Sequence, residues 1–471
     1  MSKKFWTIAT AIPYLNGDPH IGHALDYLLA DTVSRYRKSI GDDVVFTAGT
    51  DEHGEKIFKK AGAEGLDVQT FVDQKAEIFK DFISDLNVEY THFVRTTDEK
   101  HVQLCQEIWI KLSDHIYKDS YEGWYCDGCE AFVTDKEYAE NNGICPDHQK
   151  AYQKLNEENY YLRISDFKDE IRTAIETDRL EILPKHRKNE FLNLLKDMPD
   201  VSISRPKAKV SWGIPVPNDD EQVMYVWIDA LSNYITAFDY PEKEISDYWP
   251  ADLQVLGKDI LRFHAGIWPA MLIGLGLELP KTFLTHGYIS VDGQKMSKSI
   301  GNVVDPREAI AKHGTEAFRY YFLRHVSTTD DADFSWEKYE AGYNELANVL
   351  GNLVQRLANL CAKNEVPGQE LTVDYDPEYI KLMDGYELNK AFDYAWEKAQ
   401  KINQKIDEEK PWALVKESPE AGQSLLTDLV RDLLIVNKHL TPFLPETTKR
   451  IESIFTAKEI AVPETPLFPK N

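Results

Sequence analysis

The chain has 471 residues, 42% of them hydrophobic, and its formal net charge is -25 at pH 7. This length gives room for about three domains, and the negative charge excludes binding to nucleic acid over the whole surface, although local basic patches remain available for RNA. We find no cationic, apolar leader and no apolar run long enough to cross a bilayer, so we expect a cytoplasmic protein without a membrane partner. The five cysteines, an odd count, do not match a disulfide framework.

The first predicted elements are a strand at residues 5–10, a turn rich in Pro, Asn and Gly at residues 13–19, and a helix. The helix carries apolar residues at helical spacing: Ile21, Leu25, Leu28, Leu29 and Val33. His20 and His23 fall at its start, where free N–H groups and a positive dipole attract anions, and Gly22 leaves room for a ligand against the backbone. The alternative is a helix start that happens to hold two histidines.

A second strand at residues 44–47 completes a β-α-β unit, which predicts a right-handed crossover and a doubly wound parallel sheet. Asp51 and His53 fall just past the end of this strand, where ligands of such sheets bind, and a carboxylate there can pair with a ligand ammonium. A polar loop or helix cap is the alternative. Helical patterns are predicted from residue 67 to about residue 117.

Residues 114–222 differ in character and contain two pairs of candidate metal ligands. Two residues separate the members of each pair, and fifteen residues separate the pairs, which are Cys126 with Cys129 and Cys145 with His148. This spacing predicts a structural zinc knuckle, with no open position for a catalytic water. Reduced cysteines in a loop are the alternative. Cys105 and Cys361 lie in helical patterns and are predicted to be core residues.

The sheet is predicted to resume with a strand at residues 223–228, followed by a helix that opens at Asp229. Further strands are predicted at residues 253–256 and 282–285, so a second α/β half follows the insertion. Residues 292–302 then hold Lys295 and Lys298 between glycines. Such a loop can close over a polyphosphate and stabilise charge as it develops, or it can be a solvated turn.

From about residue 341 the chain is predicted to be helical, with two apolar stripes. One stripe comprises Leu346, Leu350, Leu353, Leu357 and Leu360, and the other Leu388, Phe392, Ala395, Ala399, Ile402 and Ile406. Asn348, Asn352 and Arg356 lie on the polar side of the first stripe. The prediction is a helical bundle with a polar stripe and an exposed Trp412, or a plain bundle with Trp412 in its core.

Two of these stretches, His20-Ile21-Gly22-His23 and Lys295-Met296-Ser297-Lys298-Ser299, together with the zinc insertion between them, resemble the class I aminoacyl-tRNA synthetases. Within that class the chain is similar to the bacterial methionyl-tRNA synthetases, and the similarity lies in residues 11–14, 49–54, 225–230 and 257–260, in Phe263, His264 and Trp268, and in Asn352, Arg356 and Trp412.

The resemblance implies an α/β fold: a doubly wound, parallel, nucleotide-binding sheet split by a zinc-bearing connective insertion and followed by an all-α anticodon-binding bundle. The implied domains are the first half of the nucleotide-binding domain (1–113), the insertion (114–222), the second half with the lysine loop (223–340) and the bundle (341–471).

The implied reaction joins L-methionine to ATP, giving methionyl-adenylate and pyrophosphate, and then transfers the methionyl group to the 3′ end of tRNA. The resemblance assigns the catalytic role to His20, His23, Lys295 and Lys298, and ATP binding to these four with Gly22, Gly257 and Asp259. Mg²⁺ would accompany ATP, and zinc would be structural. Positioning and charge neutralisation matter more than a protein base in such chemistry.

The resemblance places the methionine ammonium on Asp51. It places the side chain in a pocket formed by Ala11, Ile12, Tyr14, Val226, Trp227, Ala230, Tyr234, Ile260, Phe263, His264 and Trp268. Trp412 would stack on a base of the CAU anticodon of elongator and initiator tRNA(Met), and Asn352 and Arg356 would bond base edges.

Asp26 stands where the family often has glutamate, so we leave it out of the predicted site. Because the chain stops soon after the bundle, we expect a monomer.

Two other functions stay open at this point. Another class I synthetase is possible in principle, but residues 114–222 are too few for the long editing insertion of the leucine, isoleucine and valine enzymes, and a cysteine-specific enzyme would place zinc in the amino-acid site. A non-catalytic tRNA-binding relative would not need the two lysines of a mobile loop.

Overall fold

The computed structural model describes residues 4–126, 131–146, 149–296 and 302–469. The strands in these ranges are β1 Trp6–Thr10, β2 Val44–Thr50, β3 His92–Arg95, β4 Ile116–Cys126, β5 Ala131–Val133, β6 Gln153–Leu162, β7 Glu181–Leu183, β8 Val201–Ser202, β9 Ser204–Pro206, β10 Pro215–Val216, β11 Asp219–Met224, β12 Leu253–Gly257, β13 Thr282–His286, β14 Ile289–Val291, β15 Gln294–Lys295 and β16 Ala332–Phe334.

The α-helices in the same ranges are α1 Ile21–Ser39, α2 Glu55–Ala63, α3 Val68–Asp85, α4 Glu99–Lys111, α5 Asp135–Glu140, α6 Lys168–Glu176, α7 Lys185–Asp197, α8 Val226–Thr236, α9 Leu261–Gly274, α10 Pro306–His313, α11 Thr315–Arg324, α12 Trp336–Leu346, α13 Asn352–Lys363, α14 Pro377–Asp384, α15 Leu388–Glu409, α16 Pro411–Glu417, α17 Pro419–Leu440 and α18 Pro445–Phe455. Within this described part of the chain, we find no helix with the length and apolarity that a membrane span requires.

A six-stranded sheet in the order β3-β2-β1-β12-β13-β7 forms the centre of the molecule. All five pairings are parallel, which confirms the prediction of a parallel sheet built from two separated halves. The halves meet where β1 pairs with β12, with Thr10 opposite Val255. Ligands of such sheets bind beside the carboxyl ends of the strands at this kind of junction.

Apolar side chains project from both faces of the central sheet. Leu253 and Val255 of β12 pack in one core with α1 and α3, while Leu256 packs in a second core with α4 and α9. The alternation follows from the two-residue period of a strand, and burial on both faces explains why these strands are apolar runs in the sequence.

The segment after β3 forms a separate four-stranded antiparallel sheet in the order β5-β4-β6-β8. Its long hairpin pairs Ile116 with Leu162 and continues to Tyr125 opposite Gln153. The chain then returns to the central sheet, because β7 pairs with β13 as the edge strand. Part of the range predicted for the insertion thus belongs to the central sheet, and the predicted domain boundaries stay a prediction.

The strand predicted at residues 223–228 is wrong after Met224. The strand β11 belongs to a small three-stranded sheet with β9 and β10, and residues 226–236 are the helix α8, capped by Tyr225. Aromatic and β-branched residues favour a strand, but most of α8 is buried, and a short apolar run does not distinguish a buried helix from a buried strand. Asp229 therefore lies inside the helix.

The helical prediction from residue 67 to about 117 is wrong at two places. The strand β3 separates α3 from α4, and β4 begins at Ile116. With only four residues at the sheet edge, β3 is too short to show a clear alternation.

The helices α12 to α18 form the predicted bundle. The predicted stripes are buried, except that Leu360 is only partly buried. The turn at Ala347–Gly351 is a π-helix, a local irregularity that is often found at functional sites. Trp412 is 40% exposed, so the alternative with Trp412 in the bundle core is wrong.

Candidate active site

Helix α1 begins at the carboxyl edge of the sheet with His20 as its N-terminal cap. The Gly22 N–H donates to His20 Nδ1 (3.1 Å), and the His20 N–H donates to His23 Nδ1 (3.3 Å). Because each Nδ1 accepts a backbone N–H, each neutral ring carries its proton on Nε2. The rings stack with their centroids 3.8 Å apart. This end of the helix thus combines two imidazole N–H donors with the positive dipole, an arrangement that suits an anion.

Gly22 has a packing role that its sequence position alone did not indicate. A Cβ at this position would lie 2.9 Å from His20 Cε1 and 3.0 Å from His20 Nδ1. The missing side chain therefore makes space for the His20 ring to fold back over the helix, and Gly22 also lines the cavity described next.

A cavity of about 450 Å³ opens beside this helix end. Most of the predicted ATP- and methionine-binding residues line it: Ala11, Ile12, Tyr14, His20, Gly22, His23, Asp51, Val226, Trp227, Ala230, Tyr234, Gly257, Asp259, Ile260 and His264. They come from the loops after β1, β2 and β12 and from α1, α8 and α9. The parallel sheet thus brings residues from both halves of the sequence to one site.

Asp51 is held by backbone pairing with the loop that follows β1. Its N–H donates to the Pro13 carbonyl (2.9 Å), and its carbonyl accepts from the Leu15 N–H (3.0 Å). The residue is 8% exposed. A carboxylate fixed in this way at the cavity wall can pair with an ammonium group, as the sequence predicted.

Two of the predicted pocket residues, Phe263 and Trp268, are outside the cavity lining, and Phe263 is only half-buried. Phe263 stacks on Trp227, with centroids 4.0 Å apart and planes 14° apart. Trp268 is completely buried and packs against Tyr234, with centroids 5.6 Å apart. Both rings support residues that line the cavity.

Tyr234 and His264 form a neutral pair at the apolar part of the cavity. His264 Nδ1 donates to the Ile260 carbonyl (3.1 Å), which leaves Nε2 to accept from the Tyr234 hydroxyl (2.9 Å). Burial lowers the pKa of His264 to about 4, against the Ile260 hydrogen bond, and burial raises the pKa of Tyr234. An uncharged wall of this kind suits an apolar side chain with a polarisable sulfur.

The sequence did not identify an ion pair between His286, at the end of β13, and Asp26 of α1. His286 Nε2 donates to Asp26 Oδ1 (2.8 Å), and His286 Nδ1 donates to the Gly287 carbonyl (2.9 Å). Burial opposes protonation, but the Asp26 carboxylate outweighs it and the pKa of His286 is raised to about 8. Both residues line the cavity, as do Lys56 and Asn233. The histidine directly after the predicted strand at 282–285 was the available signal.

The base of the lysine loop reaches the cavity. The strands β14 and β15 form a short hairpin, and Met296 lines the cavity. Lys295 ends β15, but its side chain is not described, and Lys298 lies outside the described residues. The predicted role of the two lysines therefore stays a prediction.

The predicted anticodon residues lie together at the bundle surface. Asn352 and Arg356 line a shallow polar depression with Asn348, Val349, Gln355, Asn359, Gln400, Asn403 and Asp407. Arg356 pairs with Asp407 (2.6 Å), and its guanidinium lies 5.1 Å from the centre of the Trp412 ring. An exposed aromatic ring next to amide groups offers both stacking and hydrogen bonding to a nucleobase.

Two of the four predicted zinc ligands can be placed. Cys126 and Cys145 are each 1% exposed and belong to one small cluster with Tyr152, and neither is in a disulfide. The Cys145 carbonyl accepts from the Gln149 N–H (2.8 Å). Cys129 and His148 lie outside the described residues. Two reduced, buried thiols in one cluster fit a thiolate-rich metal site.

The comparisons with known proteins agree with this arrangement. The sequence model of the family described as tRNA synthetases class I (M) matches residues 6–156 and 148–358. The proteins named methionine--tRNA ligase from Caldanaerobacter subterraneus subsp. tengcongensis, Thermotoga maritima and Rickettsia felis are 39%, 38% and 36% identical to this chain. Each similarity covers 95% of this chain, and the shares of the relatives covered are 73%, 74% and 91%.

Among solved structures, the Mycobacterium tuberculosis methionyl-tRNA synthetase bound by methionyl-adenylate matches with a TM-score of 0.89 at 32% identity, over 99% of this chain and 100% of that one. The apo form of that protein matches with a TM-score of 0.82 at 30% identity, over 100% of this chain and 98% of that one. With a family model that spans more than half of its residues and relatives of this similarity, the chain belongs to the class I (M) tRNA synthetases, the family of the methionine–tRNA ligases.

Proposed function

We propose that the protein is a methionine–tRNA ligase, which activates L-methionine with ATP and transfers the methionyl group to the 3′ end of tRNA(Met). The observation that carries this proposal is a single cavity with three chemically different walls. One wall is the histidine-capped start of α1, the second is the Asp51 carboxylate, and the third is the neutral apolar pocket around His264. These walls suit a polyphosphate, an ammonium group and a thioether.

In the first step a methionine carboxylate oxygen attacks the α-phosphorus of ATP, and the bond from that phosphorus to the β-phosphate oxygen breaks. Asp51 would hold the ammonium group, and the Nε2–H groups of His20 and His23 would donate to phosphate oxygens. Gly257, the last residue of β12, and Asp259 after it would lie against the nucleoside. A Cβ on Gly257 would lie 2.7 Å from Asp259 Oδ1, so glycine keeps this carboxylate close to the backbone.

The leaving pyrophosphate carries negative charge that must be neutralised as the bond breaks. We assign this role to Lys295 and Lys298, with Mg²⁺ bound to the phosphates of ATP. In the second step the terminal ribose hydroxyl of the tRNA attacks the methionyl carbonyl, and AMP leaves. Both steps depend on alignment of the reacting atoms more than on a protein base.

For tRNA recognition we propose the depression on the bundle. Trp412 would stack on an anticodon base, while Asn352 and Arg356 would bond base edges. The polar lining and the exposed ring support this role, and the elongator and initiator forms of tRNA(Met) share the anticodon that such a site would bind.

For the zinc ion we propose Cys126, Cys129, Cys145 and His148 as ligands. A closed set of thiolates and one imidazole stabilises a small fold and takes no part in the reaction. We further propose the domain division of the sequence prediction, a monomer and a cytoplasmic location. Light scattering and cell fractionation would test the last two.

Pyrophosphate exchange into ATP with a panel of amino acids tests the activity. We expect exchange with L-methionine and much weaker exchange with leucine, isoleucine, valine and cysteine, and we expect purified tRNA(Met) to be charged. Stronger exchange with another amino acid would assign the chain to a different specificity. Binding of tRNA(Met) without any exchange would indicate a non-catalytic relative.

A further inference from the structure

Helix α8 also carries side chains that are outside the cavity lining and hold the helix in place. Val226, Trp227, Ala230 and Tyr234 line the cavity, whereas Asp229 is 1% exposed and outside its lining. Its Oδ2 accepts from His53 Nδ1 (2.7 Å), and its Oδ1 accepts from His101 Nε2 (2.8 Å). We call these three residues the Asp229 clamp.

The clamp connects the two parts of the proposed methionine site. His53 lies two residues after Asp51, so its bond to Asp229 ties the ammonium-binding loop to the helix that forms the side-chain pocket. Glu52, between them, is held elsewhere: Arg95 of β3 donates to both of its carboxylate oxygens (2.8 Å each). The His53 bond thus reaches α8 directly from this loop.

His101 fixes the clamp from a third element. It lies on α4, and its Nδ1 accepts from the Thr236 hydroxyl (2.8 Å) at the far end of α8. One imidazole thus donates to Asp229 and accepts from Thr236, and these two hydrogen bonds hold α8 against α4 along two turns. The helix is therefore also held by contacts outside the cavity lining.

Breaking a hydrogen bond of the Asp229 clamp costs free energy, because the carboxylate is buried. Burial favours the neutral acid, but the neighbouring imidazoles outweigh it and lower the pKa of Asp229. A buried carboxylate that loses one of its donors is strongly destabilised, since the remaining lone pairs have no water to bond. The ionised carboxylate thus holds both imidazoles in one geometry.

We infer that the Asp229 clamp is a positioning device that fixes the separation between Asp51 and the side-chain pocket, and thereby selects the length of the amino-acid side chain. The inference rests on the proposed function. An apolar pocket discriminates one methylene by only about 10- to 200-fold, and it does so only if the ammonium group at the other end is held at a constant distance.

The neighbouring Cys105 offers an alternative role for these groups. One ligand atom each from His101, Cys105 and Asp229 lies within 4.8 Å of the others, which would suit a metal ion. Cys105 Sγ lies 3.2 Å from His101 Nε2. However, both nitrogens of His101 and both oxygens of Asp229 already take part in hydrogen bonds, so the geometry favours the clamp.

The experiment compares methionine with S-methylcysteine, which is one methylene shorter, in pyrophosphate exchange. In His53→Ala we expect the ratio of their kcat/KM values to fall about tenfold, with the KM for ATP unchanged. His53→Asn keeps an N–H near the position of Nδ1 and should restore most of the ratio. Asp229→Asn provides a second variant if His53→Ala proves unstable. An unchanged ratio in folded, active variants would overturn the inference. An equal rise in the KM values for methionine and for ATP would also overturn it.

Cys105→Ala is the matched control, since it keeps the bonds from His53 and His101 to Asp229 and the bond from Thr236 to His101. We expect its side-chain length ratio to equal that of the wild type. If Cys105→Ala instead lowers the ratio and loses a bound metal ion measured by atomic emission, the metal role is correct and the clamp is wrong. Wild-type protein without methionine-dependent exchange would contradict the proposed function itself, and this outcome is separate from a failure of the clamp.

Discussion

The pair of His286 and Asp26 joins the end of β13 to α1, the helix that carries the two site histidines. Both His286 nitrogens donate, one to Asp26 and one to the Gly287 carbonyl, so the ring is a buried imidazolium. The pair fixes α1 against the second half of the sheet directly beside the cavity.

The pair makes stability depend on pH. The pKa of His286 rises from its ordinary 6.5 to about 8 in the folded protein, so the stabilisation is complete below pH 6.5 and disappears as the pH rises through 8. Between about pH 6 and about pH 9, we expect the free energy of unfolding of the wild type to fall by about 2 kcal/mol more than that of Asp26→Asn. Urea unfolding at both pH values measures this, and parallel slopes would contradict it.

The hydroxyl of Tyr234 is expected to affect the binding of methionine and not that of ATP. Tyr234→Phe removes the donor to His264 Nε2 and leaves a buried acceptor unpaired, which costs about 1–3 kcal/mol. We expect the KM for methionine to rise about tenfold while the KM for ATP stays constant, because the nucleotide contacts are elsewhere in the cavity. Pyrophosphate exchange at varied concentrations of each substrate measures both values, and an equal change in the two would argue against the assigned pocket.

For individual residues, the sequence predicted the site correctly where the residues belong to one short motif or follow a predicted strand. His20, His23 and Asp51 each follow a strand end by a short turn, so their common position was predictable. Asp26 and His286 are 260 residues apart and meet because α1 packs on β12, the neighbour of β13, a tertiary arrangement that single-sequence patterns do not encode. Phe263 and Trp268 have aromatic character that fits a pocket, but this character is equally compatible with a position outside the cavity lining.

Among the elements, the bundle helices α13 and α16 form the proposed anticodon site. Trp412→Ala removes the exposed ring on which a base would stack, and stacking contributes about 1–3 kcal/mol per base. We expect kcat/KM for tRNA charging to fall roughly ten- to a hundredfold, with normal pyrophosphate exchange. Lys416→Ala on the same helix is the control. Unchanged charging in Trp412→Ala would refute the site.

The segment that forms the four-stranded sheet with β4 and β5 contains the proposed zinc ligands, and its metal content can be predicted. We expect the wild type to contain about one zinc ion per chain and Cys145→Ser to contain none, because a structural site needs all four ligands. Cys361→Ala removes a buried thiol in the bundle and should keep the metal. Atomic emission on dialysed protein decides this, and a full zinc content in Cys145→Ser would exclude the knuckle.

The helix α8 shows the limit of element prediction. Its residues have strand propensity, yet packing against α4, α9 and the sheet makes a helix that is buried on most sides. Local preference is weak compared with tertiary burial, whereas α1, with a clear helical period and a polar cap, was placed correctly.

On the scale of the whole molecule, a buried arginine connects the central sheet with the bundle. Arg319 is completely buried. It pairs with Asp31 of α1 (2.7 Å), and it also donates to the Phe443 carbonyl beyond α17 (2.8 Å) and to the Leu86 carbonyl after α3 (3.2 Å). One guanidinium thus satisfies groups from three separate regions.

Removing this group should affect the whole fold. Arg319→Met leaves buried carbonyls without a donor and removes one of the two arginines that pair with the Asp31 carboxylate, the other being Arg35 (2.8 Å), so we expect a loss of about 3–5 kcal/mol in the free energy of unfolding. Arg307→Met removes an exposed pair with Asp85 (3.0 Å) and should cost no more than about 1 kcal/mol. Urea unfolding followed by circular dichroism measures both, and equal losses would show that Arg319 is not the connection.

The strand order also determines which strands of the central sheet can pair while the chain is still being synthesised. The strands β1, β2 and β3 can assemble early, but the partner of β1 on its other side is β12, and the bond from Thr7 to Asp252 spans 245 residues. During synthesis of that interval, the edge of β1 that later pairs with β12 stays unpaired in the nascent half-sheet, and such an edge is prone to aberrant association. Efficient production of the enzyme should therefore depend on chaperones that shield this edge until β12 leaves the exit tunnel.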